Sequence, residues 1–422
     1  DKIPYEFYKF ASENFYEILL EFYNDIFEVG YVPVDFKKSI IFPLHKSGDI
    51  NAVSNYRGIA FENTVGKFFS GLLLQRLSCW IEQNKILKEF QAGFRHGYST
   101  LDHIFTLSSI ISIKLMQKRQ KVYIFFVDLS MAFDRIDRHA LIYKLHEIGI
   151  STKIIQLIRE LHENTEATVW CKNAYSDVFQ TTMGVKQGAL LSPLLFTLFI
   201  NDIDEDLLGG ININGTRIKL LAFADDLALI SSDPTELQYN INVLKKYCQN
   251  WNLKINLTKS KIMVCRNGGK PSRREKWLFG DEKIDIVNSY KYLGVNLTPQ
   301  LSLGKFLDGR LLNAKTGLNS VWKFFIANNE VPFTAKMEMF YAVSRAIMCY
   351  GAQVWGGKSY KQVEQLLTFF IKKLLRLPRN TPNYIISLET KVAPMFTYTL
   401  QLHHNYLIKV LEMPDTRYPK IL

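Results

Sequence analysis

Arg217-Ile-Lys-Leu-Leu-Ala-Phe-Ala-Asp-Asp-Leu-Ala-Leu-Ile-Ser231 decides how the rest of the chain is read. A short apolar run enters, two adjacent carboxylates follow, and a second apolar run leaves. This pattern predicts a β-hairpin with Asp225 and Asp226 at its turn. Asp suits turns in any protein, so the stretch alone fits an ordinary turn equally well. A second stretch shifts the balance. Lys121-Val-Tyr-Ile-Phe-Phe-Val-Asp128 is another apolar strand, and it ends in a carboxylate. Two strands ending in carboxylates can hold two divalent ions a few ångström apart, the arrangement that drives in-line phosphoryl transfer.

The chain has 422 residues, of which 47% are apolar, enough for a large core or two to three subdomains. No apolar run reaches the ~18 residues of a membrane span. The five cysteines (Cys79, Cys171, Cys248, Cys265, Cys349) are scattered. They have neither zinc-ligand spacing nor a disulfide framework, which points to a reducing compartment. The N-terminus has no initiator Met and no signal-peptide pattern, so the sequence reads as a fragment of a longer chain. Net charge is +12, and residues 298 to 422 carry 16 Lys+Arg against 7 Asp+Glu, so +9 of it lies there. Concentrated basic character suggests a polyanionic partner, nucleic acid before membrane. A solvated basic face is the plainer alternative.

Taken in order, residues 14 to 29 place apolar side chains at helical spacing, with Gly30 as the stop. Residues 36 to 49 read as a strand leading into a Gly-containing turn, followed by Asn55-Tyr-Arg-Gly-Ile-Ala60. Lys46 and Arg57 are cations on neighbouring extended segments. A triphosphate needs such groups, although surface cations look the same. Residues 65 to 81 are helical. In Gln91-Ala-Gly-Phe-Arg-His-Gly-Tyr-Ser-Thr100, Gly93 and Gly97 flank Arg95, so backbone there could approach a phosphate chain. Ser99 or Thr100 caps a helix running to about Lys118.

Phe133 lies five residues past Asp128. A ring there could exclude a 2′-hydroxyl by volume, or could simply be core. Helical patterns cover 138 to 163, and two short strands follow near 167 to 181. Gly184-Val-Lys-Gln-Gly-Ala-Leu-Leu-Ser-Pro193 is a loop whose Gln187 could bond a nucleotide or template, and Pro193 starts an apolar helix to about Leu207. Asn214-Gly215 signals a two-residue hairpin. Residues 235 to 251 are helical. Leu253 to Leu257, Ile262 to Cys265 and Tyr290 to Val295 read as strands, with a basic loop at 266 to 276. Beyond about residue 300 the pattern is mostly helical. This order suits an α+β layer in which an antiparallel sheet of the split βαβ kind is backed by helices, with Asp128 and the Asp225-Asp226 turn meeting on neighbouring strand ends.

With these blocks in place, the chain resembles the reverse transcriptases of non-LTR (LINE-like) retrotransposons. The resemblance runs through residues 1 to about 297. It rests on Ile3-Pro-Tyr-Glu-Phe-Tyr8, Asn55-Tyr-Arg57, Gln91-Ala-Gly-Phe-Arg95, Phe126-Val-Asp-Leu-Ser-Met-Ala-Phe-Asp134, Gly184-Val-Lys-Gln-Gly188 with Leu191-Ser-Pro193, Phe223-Ala-Asp-Asp226, Leu257-Thr-Lys-Ser260 and Tyr292-Leu-Gly294. Any one block is weak, and their joint presence in this order is specific.

The resemblance implies an RNA-directed DNA polymerase with a right-hand fold. It would have fingers at 1–120, a ferredoxin-like palm sheet with interleaved fingers segments and primer grip at 121–297, and a basic helical thumb at 298–422. It implies that Asp128 and Asp225 bind two Mg2+ ions, which Mn2+ could replace, with Asp226 as the paired carboxylate. Lys46 and Arg57 would hold the incoming triphosphate, and Phe133 would gate its sugar. Gln187, Gly188 and Phe223 would line the nucleotide and template pocket. Lys259 would donate a proton to the leaving pyrophosphate, and Tyr292, Leu293 and Gly294 would form the primer grip. The implied partners are an RNA template, a DNA primer or nicked target DNA, deoxynucleotides and an endonuclease domain elsewhere on the parent chain. The implied compartment is intracellular and nuclear, although Arg273-Arg274 is too short for a localisation signal.

Four residues, at three places, depart from the family pattern. Phe223 stands where Tyr is commonest, Ala189-Leu190 replaces Cys-Pro, and Gly58 replaces Pro. None carries a catalytic charge. The alternative is an inactive or domesticated element-derived protein that binds RNA or DNA without polymerising. The intact acidic set favours the enzyme.

Overall fold

The strand Val122–Asp128 is buried from Val122 through Val127 and lies inside a four-stranded antiparallel sheet. The computed structural model describes residues 3–269, 272–273 and 275–422. Successive side chains of a strand point to opposite faces, and here they enter two different cores. Tyr123, Phe125 and Val127 join one, Val122, Ile124 and Phe126 the other. The neighbouring strand Asp226–Ser231 divides likewise, with Leu227 and Leu229 on one side and Ala228 and Ile230 on the other. Both faces are covered, which is why these strands read as continuous apolar runs rather than alternating ones. Truncating a ring such as Phe125 to Ala would cost about 3–5 kcal/mol.

The sheet runs Lys261–Cys265, Val122–Asp128, Asp226–Ser231, Leu220–Phe223. In chain order that is 4-1-3-2, the ferredoxin-like arrangement expected from the split βαβ pattern. On one face pack the helices Thr64–Gln83, Ser192–Phe199 and Pro234–Asn250. On the other lie Thr100–Met116, the hairpin Tyr290–Leu297, and the C-terminal helices Gly304–Val321 and Lys361–Leu374. A second sheet is built on Lys38–His45, which pairs antiparallel with Tyr56–Glu62 and parallel with Thr165–Cys171. The strands expected near 167 to 181 therefore belong to this N-terminal sheet and not to the central one.

Several local expectations hold closely. Glu13–Val29 ends at Gly30 with a left-handed φ of 74°. Thr100–Met116 starts after Ser99, whose backbone N–H donates to Asp102 Oδ2 at 2.9 Å. Asn214 and Gly215 join Ile211–Ile213 to Thr216–Ile218. Others need correction. The apolar helix from Ser192 stops at Phe199, because Lys144 Nζ takes the Phe199 carbonyl at 2.6 Å together with Asp202 Oδ1 at 2.6 Å. Residues 253 to 257 form a single bridge, Leu129 to Ile255, instead of a strand. They are pulled into a turn in which Asn256 Oδ1 accepts the Thr258 N–H and hydroxyl. Tyr290 to Val295 is a hairpin, turning at Leu293 and Gly294 with φ of 46° and 86°. Part of the basic loop at 266 to 276, including Arg274, lies outside the described residues. All five cysteines are free thiols, and no helix among the described residues is long and apolar enough to cross a membrane.

Candidate active site

The turn that carries the paired carboxylates is displaced by one residue from the sequence reading. Phe223 and Asp226 are partners, so the two turn residues are Ala224 and Asp225, and Asp226 opens the outgoing strand. Ala224 takes a φ of 55°, a conformation that costs an L-residue about 1–2 kcal/mol. Asp226 in turn stands directly opposite Asp128. Opposed residues share a face, so both carboxylates sit at the end of the face occupied by Phe126 and Ala228. The Tyr290–Leu297 hairpin covers that face, and Tyr290 stacks on Phe126 at 4.2 Å. Burial, then Asp226 and Asp128, push the Tyr290 hydroxyl up to about 12.

The three carboxylates repel one another. Burial and then Asp225 and Asp128 push Asp226 up to about 6, although its side chain is open to solvent. Asp225 is raised by burial and by Asp128, and is partly offset by Arg57 and Lys46. Among the described residues only Lys259 comes within ion-pair distance, its Nζ 3.8 Å from Asp128 Oδ2. The turn that brings Lys259 there is tied to the strand end. Asn256 N donates to the Asp128 carbonyl at 2.9 Å, and Asp128 N donates to Ser260 Oγ at 3.0 Å.

Lys46 and Arg57 approach from the N-terminal sheet. Leu44 pairs with Arg57, and Lys46 N donates to Asn55 O at 2.9 Å, closing the hairpin that holds both cations. Burial, then Arg57 and Lys259, lower the Lys46 ammonium, while Asp128 and Asp134 act against that. Asp134, to which the sequence reading gave no role, is raised by burial and held down by Gln187, Lys46 and Arg57. Gln187 Nε2 donates to Asp134 Oδ2 at 2.6 Å, and Ala60 N donates to the Gln187 carbonyl at 2.6 Å. The loop thus links the Asp134 turn to the Arg57 strand. Gly188, at φ 114°, is obligatory there, because a Cβ would lie 2.8 Å from the Ala60 carbonyl.

Phe133 is half-buried. It stacks on Phe196 at 4.8 Å and meets Phe94 edge-on at 6.5 Å. Phe223 is half-buried at the strand end. Tyr292 is buried 5.3 Å from Phe126, and its hydroxyl has no partner among the described residues. Tyr350 Oη donates to the Leu293 carbonyl at 2.8 Å.

Gly93 packs its backbone directly on the carboxylate turn, where a Cβ would stand 2.4 Å from Ala224 N. Arg95 is held by Glu82 at 2.8 Å and by the Lys88 carbonyl at 3.2 Å. The sequence reading also missed Gln91, whose buried side chain contacts the same turn. Both residues stand in a block quoted for the resemblance, but a contact across 133 residues leaves no periodic signal.

Among the described residues no three His, Cys, Asp or Glu side chains converge around a common point as a preformed cage. What the site offers is an acidic donor set, Asp128 with Asp225 and Asp226, in which the Asp225 and Asp226 carboxyls are raised and one exposed lysine is in contact. Hard carboxylate oxygens in mutual repulsion suit a divalent cation that brings water and phosphate as its other ligands.

A model of the reverse transcriptase (RNA-dependent DNA polymerase) family matches residues 44–297. The chain is 25% identical over 419 residues to the probable RNA-directed DNA polymerase from transposon BS of Drosophila melanogaster, covering 92% of this chain and 45% of that one. It is 22% identical over 370 residues to the RNA-directed DNA polymerase from mobile element jockey of the same species, covering 86% and 40%. The chain thus spans less than half the length of these curated relatives. A solved telomerase structure from Candida albicans aligns over 97% of this chain and 67% of its own, with 12% identity and a TM-score of 0.45.

Proposed function

The chain belongs to the reverse transcriptase family, and from that premise we propose that it extends a primer 3′-hydroxyl with deoxynucleotides on an RNA template, as part of a non-LTR retrotransposon protein. The observation that carries the reading is the Asp226–Asp128 pairing, with Asp225 beside it and Lys46 and Arg57 facing it. In this reading Asp128 and Asp225 hold two Mg2+ ions, which Mn2+ can replace, and Asp226 supports them. The ions, when bound, lower the charge barrier to attack on the α-phosphate and stabilise both the attacking and leaving oxygens.

The chain's own groups do the rest. Arg57 forks onto phosphate oxygens and Lys46 adds a point charge. Gln187 and Gly188 hold the pocket wall against Asp134 and the Arg57 strand, and Phe223 closes its edge. The Phe133 ring fills the volume a 2′-hydroxyl would need. Lys259, 3.8 Å from Asp128, supplies the proton that the leaving pyrophosphate takes up. Tyr292, Leu293 and Gly294 steady the primer end. In family terms residues 1–120 act as fingers, 121–297 as palm and 298–422 as a basic thumb on the template–primer duplex. The RNA template, the DNA primer or nicked target, an endonuclease elsewhere on the parent chain, and a nuclear site of action belong to the same proposal.

The test is primer extension on an RNA template with Mg2+ and deoxynucleotides, with Asp225→Asn and Asp128→Asn alongside. Wild-type extension is expected, with a loss of at least a thousandfold in each variant and RNA affinity kept within about twofold. Near-normal extension by either variant sinks the carboxylate assignment. RNA binding without extension by the wild type supports a binding protein instead.

A further inference from the structure

We propose that Gln91 positions Asp225. Its side-chain carbonyl holds Ala224, the residue immediately before, in the left-handed conformation that presents the carboxylate. The inference rests on the reading above only for what Asp225 does once presented.

Gln91 is fully buried. Its Oε1 accepts the Ala224 N–H at 3.1 Å and the Gly93 N–H at 2.8 Å. Its Nε2 has no partner among the described residues. Burying an unpaired amide N–H2 is unfavourable, so what the side chain contributes to stability here is its oxygen. The flanking backbone reinforces the contact. Ala222 N donates to Phe90 O at 2.8 Å, and Ala92 N donates to Ala222 O at 2.9 Å. Gly93 lets this segment press against the turn, where any Cβ would collide with Ala224 N.

The Phe223–Asp226 pairing closes the turn, but no described cation is in ion-pair contact with Asp225 or Asp226, and Ala224 offers only a methyl group. A φ of 55° at an alanine relaxes unless surrounding structure imposes it. Relaxation there swings the next residue, which is Asp225. A buried glutamine that merely pairs two backbone N–H groups would stabilise the fold and nothing more, and the two roles separate experimentally.

The experiment compares wild type, Gln91→Met and Gln91→Glu. Met keeps the length and loses the acceptor. Glu, which full burial keeps in its neutral acid form, keeps a carbonyl acceptor at the same reach, and the unpartnered Nε2 makes the amide nitrogen dispensable. Three quantities are read: hydrogen exchange of the metal-free protein across residues 222 to 226, the Mg2+ concentration giving half-maximal extension, and RNA affinity. For Gln91→Met the expected result is faster exchange at Ala224 and a Mg2+ requirement raised about tenfold, the size of one net hydrogen bond. Exchange along Val122–Asp128 and RNA affinity stay at wild-type values. Gln91→Glu returns both quantities toward wild type.

Slow exchange at Ala224 in Gln91→Met overturns the proposal. So does fast exchange with an unchanged Mg2+ requirement, which leaves Gln91 a structural residue. If Gln91→Met does not fold, Gln91→Glu decides: fast exchange with a wild-type Mg2+ requirement overturns the idea, and wild-type behaviour in both supports it. If the wild type does not extend primers, the polymerase reading fails by itself. Mn2+ binding followed by electron paramagnetic resonance then replaces the Mg2+ requirement in the same comparison.

Discussion

Asp226 is held near pH 6 by burial and by Asp225 and Asp128, whereas an aspartate in an unfolded chain titrates near 3.9. Between those values the folded protein binds more protons than the unfolded one, so this group's contribution to stability falls as pH rises. Like charge is thus crowded in the metal-free site at neutral pH, screened in part by the solvent that reaches Asp226. Asp226→Asn should raise the melting midpoint of metal-free protein at pH 7 by about 1–3 °C, with little effect at pH 4. Added Mg2+ should stabilise the wild type more than the variant. A midpoint at pH 7 that stays put or drops contradicts the electrostatic account. Phe133 makes a second residue-scale case. Its ring leans on Phe196 yet is only half-buried, so one edge is free for a sugar. Phe133→Val should admit ribonucleotides, lowering the preference for deoxynucleotides at least tenfold in competition assays. Unchanged discrimination would return the ring to the core.

At the scale of elements, hairpin turns carry much of the chemistry, and they differ in how well a sequence announces them. Asn214-Gly215 is legible because both residues favour positive φ. The Leu293-Gly294 turn is not, because leucine is no turn signal, and Tyr290 to Val295 reads as one strand. Gly294 is constrained twice, by a φ of 86° and by Tyr350, whose ring would lie 2.8 Å from a Cβ. Gly294→Ala should cost about 1–3 kcal/mol and displace the turn on which Tyr350 bonds Leu293. The expected signature is a several-fold higher primer concentration for half-maximal extension, with template RNA affinity unchanged. Equal losses in both would point to general destabilisation. Strand identity and the meeting of Asp128 with Asp226 were legible because double burial leaves an uninterrupted apolar run before each carboxylate. The strap through Gln91 and Gly93 was not, since it depends on where two distant segments pack. The 253 to 257 stretch misled for a related reason: its apolar spacing suits a strand, while Asn256 bonds its own neighbours into a turn.

Over the whole molecule, the central sheet separates two cores, and the end of the chain returns to tie them together. Arg417 reaches Asp102 at 2.8 Å and Glu89 at 3.0 Å and lies over the Tyr98 ring at 3.5 Å. Tyr406 Oη donates to Asp102 at 2.9 Å, and Tyr98 Oη donates to Glu89 at 2.6 Å. Asp102 caps the helix Thr100–Met116, and Glu89 immediately precedes the strap behind the carboxylate turn. One guanidinium therefore fastens the C-terminal segment to both. Removing it leaves two carboxylates without their cation, one of them buried, and breaking such a pair costs about 3–5 kcal/mol. Arg417→Met should lower the urea midpoint accordingly. Arg417→Met with Asp102→Asn should be less destabilised than the sum of the single variants, by more than about 1 kcal/mol. Additive losses would mean that the ion pair contributes little and that packing holds the segment, through Tyr406 and through Tyr418, which lies half-buried against both cores. The location of the failure matters as much as its size. Since Arg417 grips loop and helix start and not the sheet, proteolysis of Arg417→Met should open residues beyond 395 first, while Val122–Asp128 keeps its exchange protection. Loss of protection in both at once would show that the two cores unfold as a single unit, and that the C-terminal return is part of what holds the central sheet together.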